Sequence, residues 1–289
     1  MDFSSLSGEQ QTILARWLPG SIVVHDHSWG LVETQVLEVV HSGCRYIVKA
    51  AGAGDGHLSR EIEAHQKWLS PWTSIGRAPV LVHHDLAAGL LVTRYLPGTL
   101  VLDSPAADEP EVYRQAGELL DRMHNQPGAI DGDYEATANE KSLWWLRQPH
   151  RIDDETVERL RAEIGSWPTP PARLVPTHGD WQPRNWLVHH DEVRVIDLGR
   201  AALRPAMSDL TRLAAQEFRR DPRLEAAFLV GYVSDPRTNE ADSATAWFRT
   251  RVHEAIGTAT WAHQVGDGSF EAQGHRMIAE ALADPSSSG

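Results

Sequence analysis

The segment Thr177-His-Gly-Asp-Trp-Gln-Pro-Arg-Asn-Trp-Leu-Val-His-His-Asp-Glu-Val-Arg-Val-Ile-Asp-Leu-Gly199 carries two acidic residues, Asp180 and Asp197, on either side of a short apolar–turn–apolar unit. Trp186-Leu-Val and Val193-Arg-Val-Ile predict two strands joined by His189-His190-Asp191-Glu192. A hairpin this tight brings its outer ends together, so Asp180, Asn185 and Asp197 can converge on one point. Two carboxylates and an amide oxygen are hard ligands. They suit Mg²⁺ and a phosphate ester better than a soft metal.

Upstream, residues 5–18 predict a capped amphipathic helix stopped by Pro19-Gly20. Strands are then expected at Ile22-Val-Val, from Leu31 to Val40 and from Tyr46 to Ala50, as an antiparallel meander. A loop at 52–56 leads to a helix from Leu58 to Leu69. Two further strands follow, Val80-Leu-Val and Leu90 to Tyr95, with Asp85–Gly89 as their turn. The first 95 residues thus read as a small sheet lobe with one inserted helix. After the break at Leu96-Pro-Gly-Thr the pattern is mostly helical. Helices are expected at 111–125, 142–148, 154–166, 208–219, 222–233, 241–264 and 270–283, with a proline-rich approach from Pro168 to Pro176. Residues 284–289 have little to bury and are expected to be disordered.

The 289 residues suffice for two lobes, and 41% hydrophobic with 23% charged residues is ordinary for a soluble globular chain. No apolar run is long enough to span a bilayer, and the acidic N-terminus has no signal-peptide pattern, so a cytoplasmic location is expected. The single cysteine, Cys44, excludes an internal disulfide and reads as a small core residue beside a strand. Twenty-seven basic against 40 acidic residues give a net charge of −13, which disfavours nucleic acid and anionic membranes and favours a small cationic partner. Tryptophan is abundant, 11 against 5 Phe and 5 Tyr, whereas lysine occurs only at positions 49, 67 and 141. Nothing in the sequence calls for more than a monomer.

Phosphoryl transfer from a nucleoside triphosphate needs Mg²⁺ on the phosphates, a cation near the α/β-phosphates and a carboxylate for the acceptor hydroxyl. Asp180 is the candidate for the last role, and Asn185 with Asp197 for the metal. His-Gly-Asp-x-x-x-x-Asn followed by Ile-Asp-x-Gly resembles the aminoglycoside phosphotransferase family, small-molecule kinases of the protein-kinase-like fold. The resemblance implies an α+β bilobal fold: residues 1–95 as the nucleotide-binding lobe and 96–283 as the catalytic and acceptor-binding lobe. It also implies ATP or GTP with Mg²⁺ as cofactors.

Lys49 has the strand context of the kinase lysine, and its compact ammonium suits a point contact to phosphate. Of the two helix glutamates that could pair with it, Glu61 shares the face packed on the sheet and Glu63 does not. Backbone groups at Thr93 and Tyr95 are the candidate hinge for the base. Ser28 and Gly30, between two strands, are candidate phosphate contacts, although no Gly-x-Gly-x-x-Gly is present. Asp209 and His178 read as structural. The pairs His83-His84 and His189-His190 read as exposed rather than metal-binding, since neighbours on a strand face opposite ways.

Acceptor candidates are Glu217, Asp221, Trp247, Glu254, Trp261 and Asp267. A carboxylate-lined mouth with tryptophan walls, Trp144-Trp145 among them, would bind a polycation. The expected reaction is O-phosphorylation of a cationic antibiotic, an aminoglycoside or a basic cyclic peptide of the capreomycin and viomycin kind. The competing readings are a metabolic kinase acting on choline, homoserine or a sugar, an inactive nucleotide-binding regulator, and a divalent-metal hydrolase.

Overall fold

The structure, a computed structural model, describes residues 3–30, 34–52, 54–238 and 243–283. The tail expected at 284–289 and the starts of the strand expected at Leu31 and of the helix expected at 241 lie outside the described residues. By packing, the chain divides into two compact units that do not follow chain order. One comprises Met1–Gln126, His178–Ala202 and Ala226–Tyr232, and the other Pro127–Thr177, Leu203–Glu225 and Val233–Gly289.

The first unit opens with α1 (Gly8–Trp17), whose N-terminus is a reciprocal capping box between Ser7 and Gln10. Gln10 is buried because its amide also donates to the carbonyls of Ala51 and Ala88, which ties the helix to the sheet. The sheet consists of β1 (Ile22–Asp26), β2 (Gln35–His41), β3 (Cys44–Ala50), β4 (Leu81–Asp85) and β5 (Leu90–Arg94), in the order β1-β2-β3-β5-β4. Every pairing is antiparallel. Ser42 and Gly43, both at positive φ, make the two-residue turn that the right-handed twist of a hairpin favours. Cys44 stands beside that turn and is exposed, so it is not the core residue expected. β4 begins one residue later than expected and runs on through His83-His84, which polar residues on a half-exposed strand permit but apolar counting does not reveal.

Between β3 and β4 lies α2 (Gly56–Lys67), capped by the Asp55 carboxylate, which accepts from the amides of His57 and Leu58. Leu58 and Ile62 of this helix pack with Ala51 and Leu91. The other face of the sheet buries Leu37, Val39, Val48, Leu90 and Val92 against Leu14 and Leu18. A short helix, α3 (Ser70–Thr73), precedes β4.

A second sheet joins β6 (Thr99–Leu100) to the hairpin of β9 (Trp186–His189) and β10 (Glu192–Val195), in the order β10-β9-β6. His190 and Asp191, both left-handed, make the turn. The strands take in His189 and Glu192 from the expected turn, with Val193 opposite Val188 and Val195 opposite Trp186. Helix α4 (Pro110–His124) buries Val112, Ala116, Leu119, Leu120 and Met123 on one stripe. The 226–232 segment crosses it at backbone distance: a side chain at Gly231 would meet the Arg114 carbonyl, and one at Gly117 the Phe228 carbonyl.

The second unit is mainly helical. It contains α5 (Tyr134–Trp145), α6 (Asp154–Ser166), α9 (Ser243–Val265) and α10 (Gly268–Leu282), around a core that includes Leu160, Ile164, Phe248, Val252, Ile256 and Ile278. α5 begins well before the expected 142. Its buried positions are Asn139 and Ser142, so it carries no apolar stripe to read. A three-stranded sheet, β11-β8-β7, is formed by β7 (Ala129–Asp131), β8 (Ala172–Thr177) and β11 (Ala202–Arg204). β8 replaces the structureless proline-rich approach. Its pairing with β7 uses Ala172 to Leu174, ahead of Pro176, where the missing N–H does no harm. The helix expected at 208–219 is three kinds of turn in succession: 3-10 over Ala206–Leu210, α7 (Thr211–Leu213), and a π turn over Ala214–Phe218. α8 (Pro222–Tyr232) follows. No helix among the described residues is long and apolar enough to cross a membrane.

Candidate active site

β3 presents Lys49 and α2 presents Glu61, and the two meet: Lys49 Nζ donates to Glu61 Oε2 at 2.7 Å. Its second acceptor is Asp197 Oδ1, at 3.0 Å. Glu63 instead pairs with Lys67 one turn along the exposed face of the helix. Burial pulls the ammonium of Lys49 towards neutrality, but Asp197 and Glu61 outweigh it and hold Lys49 above its ordinary value. Burial pushes Glu61 up, and Lys49 opposes that rise. Asp197 is drawn below the usual carboxylate range by the Lys49 charge, against a smaller effect of burial.

Asp197 is held at φ 64°, in the left-handed region that only a few residue types enter readily. Its side chain nonetheless stays 52% exposed. Two interactions fix the backbone on either side. Asn185 O accepts from the Ile196 amide at 3.0 Å, and Gly199 O accepts from Arg60 Nε at 3.0 Å. The hairpin ends do close, and Asn185 lies beside the strand end that leads into Asp197.

The loop before the hairpin is packed on aromatic rings. His178 is fully buried between Trp72 and Trp181, with Trp181 against Trp186. Its Nδ1 accepts from the Asp180 amide (3.3 Å) while Nε2 lies 3.1 Å from Ile196 O, which assigns the proton to Nε2. Four of the chain's interactions then converge on Asp180. Gln182 Nε2 donates to Oδ1 (2.5 Å), and Asn185 Nδ2 (2.8 Å) and Arg184 Nε and Nη2 (3.2 and 2.6 Å) donate to Oδ2. Gln182 and Arg184 were not singled out from the sequence. They occupy the variable positions of the Asp-x-x-x-x-Asn spacing, and the available signal was an Arg four residues after an acid across a single 3-10 turn.

The expected nucleotide contacts lie less close to that arrangement. Ser28 Oγ accepts from the Val36 amide (2.9 Å), closing the strand pair, and Gly30 is exposed at the end of the described loop. Thr93 sits in the ladder opposite Ile47 and Leu81. The Tyr95 amide donates to Arg45 O (3.1 Å), and its ring lies 3.6 Å beneath the Arg45 guanidinium. The backbone donor a base requires is thus not supplied by Tyr95, because the sheet already uses it.

The expected acceptor mouth is not formed as a carboxylate surface. Glu254 accepts from Arg212 Nε (2.7 Å), and Asp221 is held by Arg223. Asp267 caps α10. Trp247 lies under Arg237 and borders a cavity with Phe218, Arg219, Glu225 and Arg251. Trp261 packs edge-on against Phe270, and Trp144 against Trp145. Glu217, on the π turn, leaves Oε2 buried with no partner, and burial raises its carboxyl to about 7. For Glu254 and Asp221 the reason is the arginine content: Arg212, distant in sequence, and Arg223, two residues on, pair with acids that look unpaired in sequence. Asp209 is buried at the 3-10 turn.

A lysine clamped by a helix carboxylate, next to a hairpin presenting an Asp-Asn-Asp set, defines a kinase-type phosphotransferase acting on a hydroxyl group. Residues 29–246 match the model of the phosphotransferase enzyme family, and the chain belongs to that family. No curated protein sequence matches it. Among solved structures, it is similar to a thermostable mutant of aminoglycoside phosphotransferase APH(4)-Ia in ternary complex with ADP and hygromycin B, with a TM-score of 0.69 at 12% identity over 98% of this chain and 99% of the other. Choline kinase LicA from Streptococcus pneumoniae gives 0.69 at 18%, over 96% and 99%. Macrolide 2'-phosphotransferase type I gives 0.60 at 16%, over 96% and 92%. At these identities the likeness shows the shared kinase-like fold.

Proposed function

We propose that the chain transfers the γ-phosphoryl group of ATP or GTP to a hydroxyl of a small cationic antibiotic, an aminoglycoside or a basic cyclic peptide of the capreomycin and viomycin kind, in the cytoplasm. The observation that carries the transfer chemistry is Lys49 held between Glu61 and Asp197. Residues 1–95 are read as the nucleotide-holding lobe and 96–283 as the catalytic and acceptor-holding lobe. Lys49 meets the α/β-phosphates, with Glu61 orienting it. Asp180 orients the acceptor hydroxyl and takes its proton as the in-line bond to phosphorus forms. No side chain is required as a covalent carrier.

The donor set fits Mg²⁺. Asn185 commits its amide nitrogen to Asp180, which leaves the side-chain oxygen for a hard cation, and the half-exposed Asp197 carboxylate supplies the charge. When bound, the ion would neutralise the phosphate oxygens. Cation preference rests on the net charge of −13, since Glu254 and Asp221 are paired with arginines and Asp267 caps a helix. Trp144, exposed beside Trp145, offers an aromatic face that an ammonium group would favour, and this also suits a choline-like acceptor.

The test is ADP and GDP release, with Mg²⁺, across aminoglycosides, capreomycin, viomycin and choline. Turnover of an antibiotic with phosphate incorporation is the expected result. Turnover of choline alone would replace the antibiotic reading with a metabolic one.

A further inference from the structure

We propose that Arg184 is a clasp on Asp180 that keeps the carboxylate from activating water until an acceptor hydroxyl displaces it. The inference rests on the reading of Asp180 as the proton acceptor. The Asp180 side chain is only 4% exposed, and both of its oxygens already accept hydrogen bonds. A hydroxyl cannot reach it unless a donor withdraws. Gln182 and Asn185 are buried, and Asn185 is further tied by its amide to the Asp180 carbonyl. Arg184 differs: its side chain is 36% exposed, and it is the donor with a path to solvent.

The geometry of the contact favours release. Nε and Nη2 both aim at the same oxygen, Oδ2, rather than straddling the two oxygens of the carboxylate. Such a contact lacks the parallel fork–fork pairing that makes Arg–carboxylate pairs strong. Withdrawal of Arg184 opens one position on Oδ2 while Gln182 and Asn185 keep the carboxylate oriented. Pro183 and the 3-10 turn over Pro183–Asn185 hold the backbone of the clasp still, so the movement is confined to the arginine side chain. The consequence is economy of nucleotide. Without the clasp, water bound at Oδ2 gives its proton to Asp180 while its oxygen bonds to the γ-phosphorus. The β–γ bridging oxygen then leaves on the nucleoside diphosphate with the bonding pair, and the proton passes to solvent. The products are nucleoside diphosphate and inorganic phosphate.

The experiment needs no acceptor. Phosphate release from Mg·ATP and Mg·GTP is measured for the wild type, Arg184→Met, Arg184→Lys and the double variant Arg184→Met/Asp180→Asn, with the nucleotide-induced melting shift recorded for each. Arg184→Met should raise acceptor-independent hydrolysis by roughly tenfold, a small part of the roughly 10²–10⁴-fold a fully positioned base contributes, with the melting shift retained. Arg184→Lys should fall between, because one ammonium covers Oδ2 less completely. The double variant should return to the wild-type rate. Unchanged or slower hydrolysis in Arg184→Met overturns the clasp, and so does loss of its melting shift, which would assign Arg184 to loop stability. A rise that persists in the double variant refutes instead the reading of Asp180 as proton acceptor.

Discussion

Lys49 Nζ donates to Asp197 Oδ1 across 3.0 Å, joining residues 148 apart in sequence. The same ammonium holds Glu61 at 2.7 Å, so one lysine neutralises two carboxylates, of which Glu61 is buried. A triphosphate entering this site competes for a cation already satisfied. On the proposed reading, nucleotide binding would replace the Asp197 contact more readily than the shorter, buried Glu61 contact.

Replacing Lys49 with Met should lower transfer by roughly 10²–10³-fold, the range for removing one electrostatic stabiliser. It should also destabilise the fold, by about 3–5 kcal/mol, because the Glu61 charge is left buried and alone. Lys49→Met/Glu61→Leu should recover much of that stability and none of the activity. Urea unfolding beside nucleotide-release assays separates the two effects, and equal stability of the single and double variants would contradict this account.

For Asp197 the backbone has to be separated from the charge. Asn enters the left-handed region almost as readily as Asp, whereas Ala at φ 64° adds strain of about 1 kcal/mol. Asp197→Asn should therefore melt near the wild type while Mg²⁺-dependent nucleotide affinity falls at least roughly 10–100-fold, the loss typical even of a metal site's supporting partners. Calorimetric titration with and without Mg²⁺ measures it. An Asn variant that keeps the Mg²⁺ dependence would remove Asp197 from the metal site.

Asp180→Asn should cut transfer by roughly 10²–10⁴-fold, as expected for loss of a general base, and leave the nucleotide-induced melting shift in place. The amide keeps one acceptor oxygen, for Gln182 or for Asn185 and Arg184, and loses the other acceptor together with the charge facing Arg184. Disappearance of the melting shift along with transfer would show that the loop, rather than the proton, depends on Asp180.

The 177–199 hairpin was legible because two apolar segments flank a short polar turn, which brings Asn185 and Asp197 to the same end; that the turn proper is only His190-Asp191 was not. Glu61 could be chosen over Glu63 because helix periodicity separates their faces. What could not be read were contacts made by residue types without a pattern. Arg184 and Gln182 fill variable motif positions. α5 buries polar residues, and β8 follows Pro170-Pro171 and includes Pro176, which locally signal a break. The pairing of two acceptor candidates was equally hidden, because a sequence shows acids and arginines apart and does not show that Arg212 meets Glu254 or that Arg223 turns back on Asp221.

Gly231 and Gly117 let two backbones touch. A methyl at either would run into a carbonyl, of Arg114 or Phe228, and backbone yields less than a side chain tip. Gly231→Ala and Gly117→Ala should each cost about 1–3 kcal/mol, as overpacked cores do. Gly165→Ala, at a helical position where nothing lies within 4 Å, is the control and should be neutral or slightly stabilising. Chemical denaturation of the three variants tests this, and a neutral Gly231→Ala would mean the two segments separate without cost.

The two buried histidines should lower stability as pH drops from about 6.5 towards 4, against an opposite contribution from Glu217, whose raised carboxyl takes up its proton first in the folded state. Burial lowers His65 to about 4, with Lys49 adding repulsion, and lowers His253 to about 4, with Arg249 adding to it. The Nε2 atoms of both rings are buried without a partner, so a proton added there gains no hydrogen bond. The unfolded chain takes up these protons near 6.5 and the folded chain only near 4. Between those values the unfolded state binds more protons and is favoured as pH falls; above 6.5 both states are neutral and the effect vanishes. Each histidine then contributes up to about 3 kcal/mol of acid destabilisation. His65→Leu should flatten the dependence of the urea midpoint on pH between 6.5 and 4, and His253→Phe should do so independently, at the cost of the 2.7 Å hydrogen bond to Ser142. Wild-type and variant curves that run parallel through this window would show that neither ring is kept neutral by the fold.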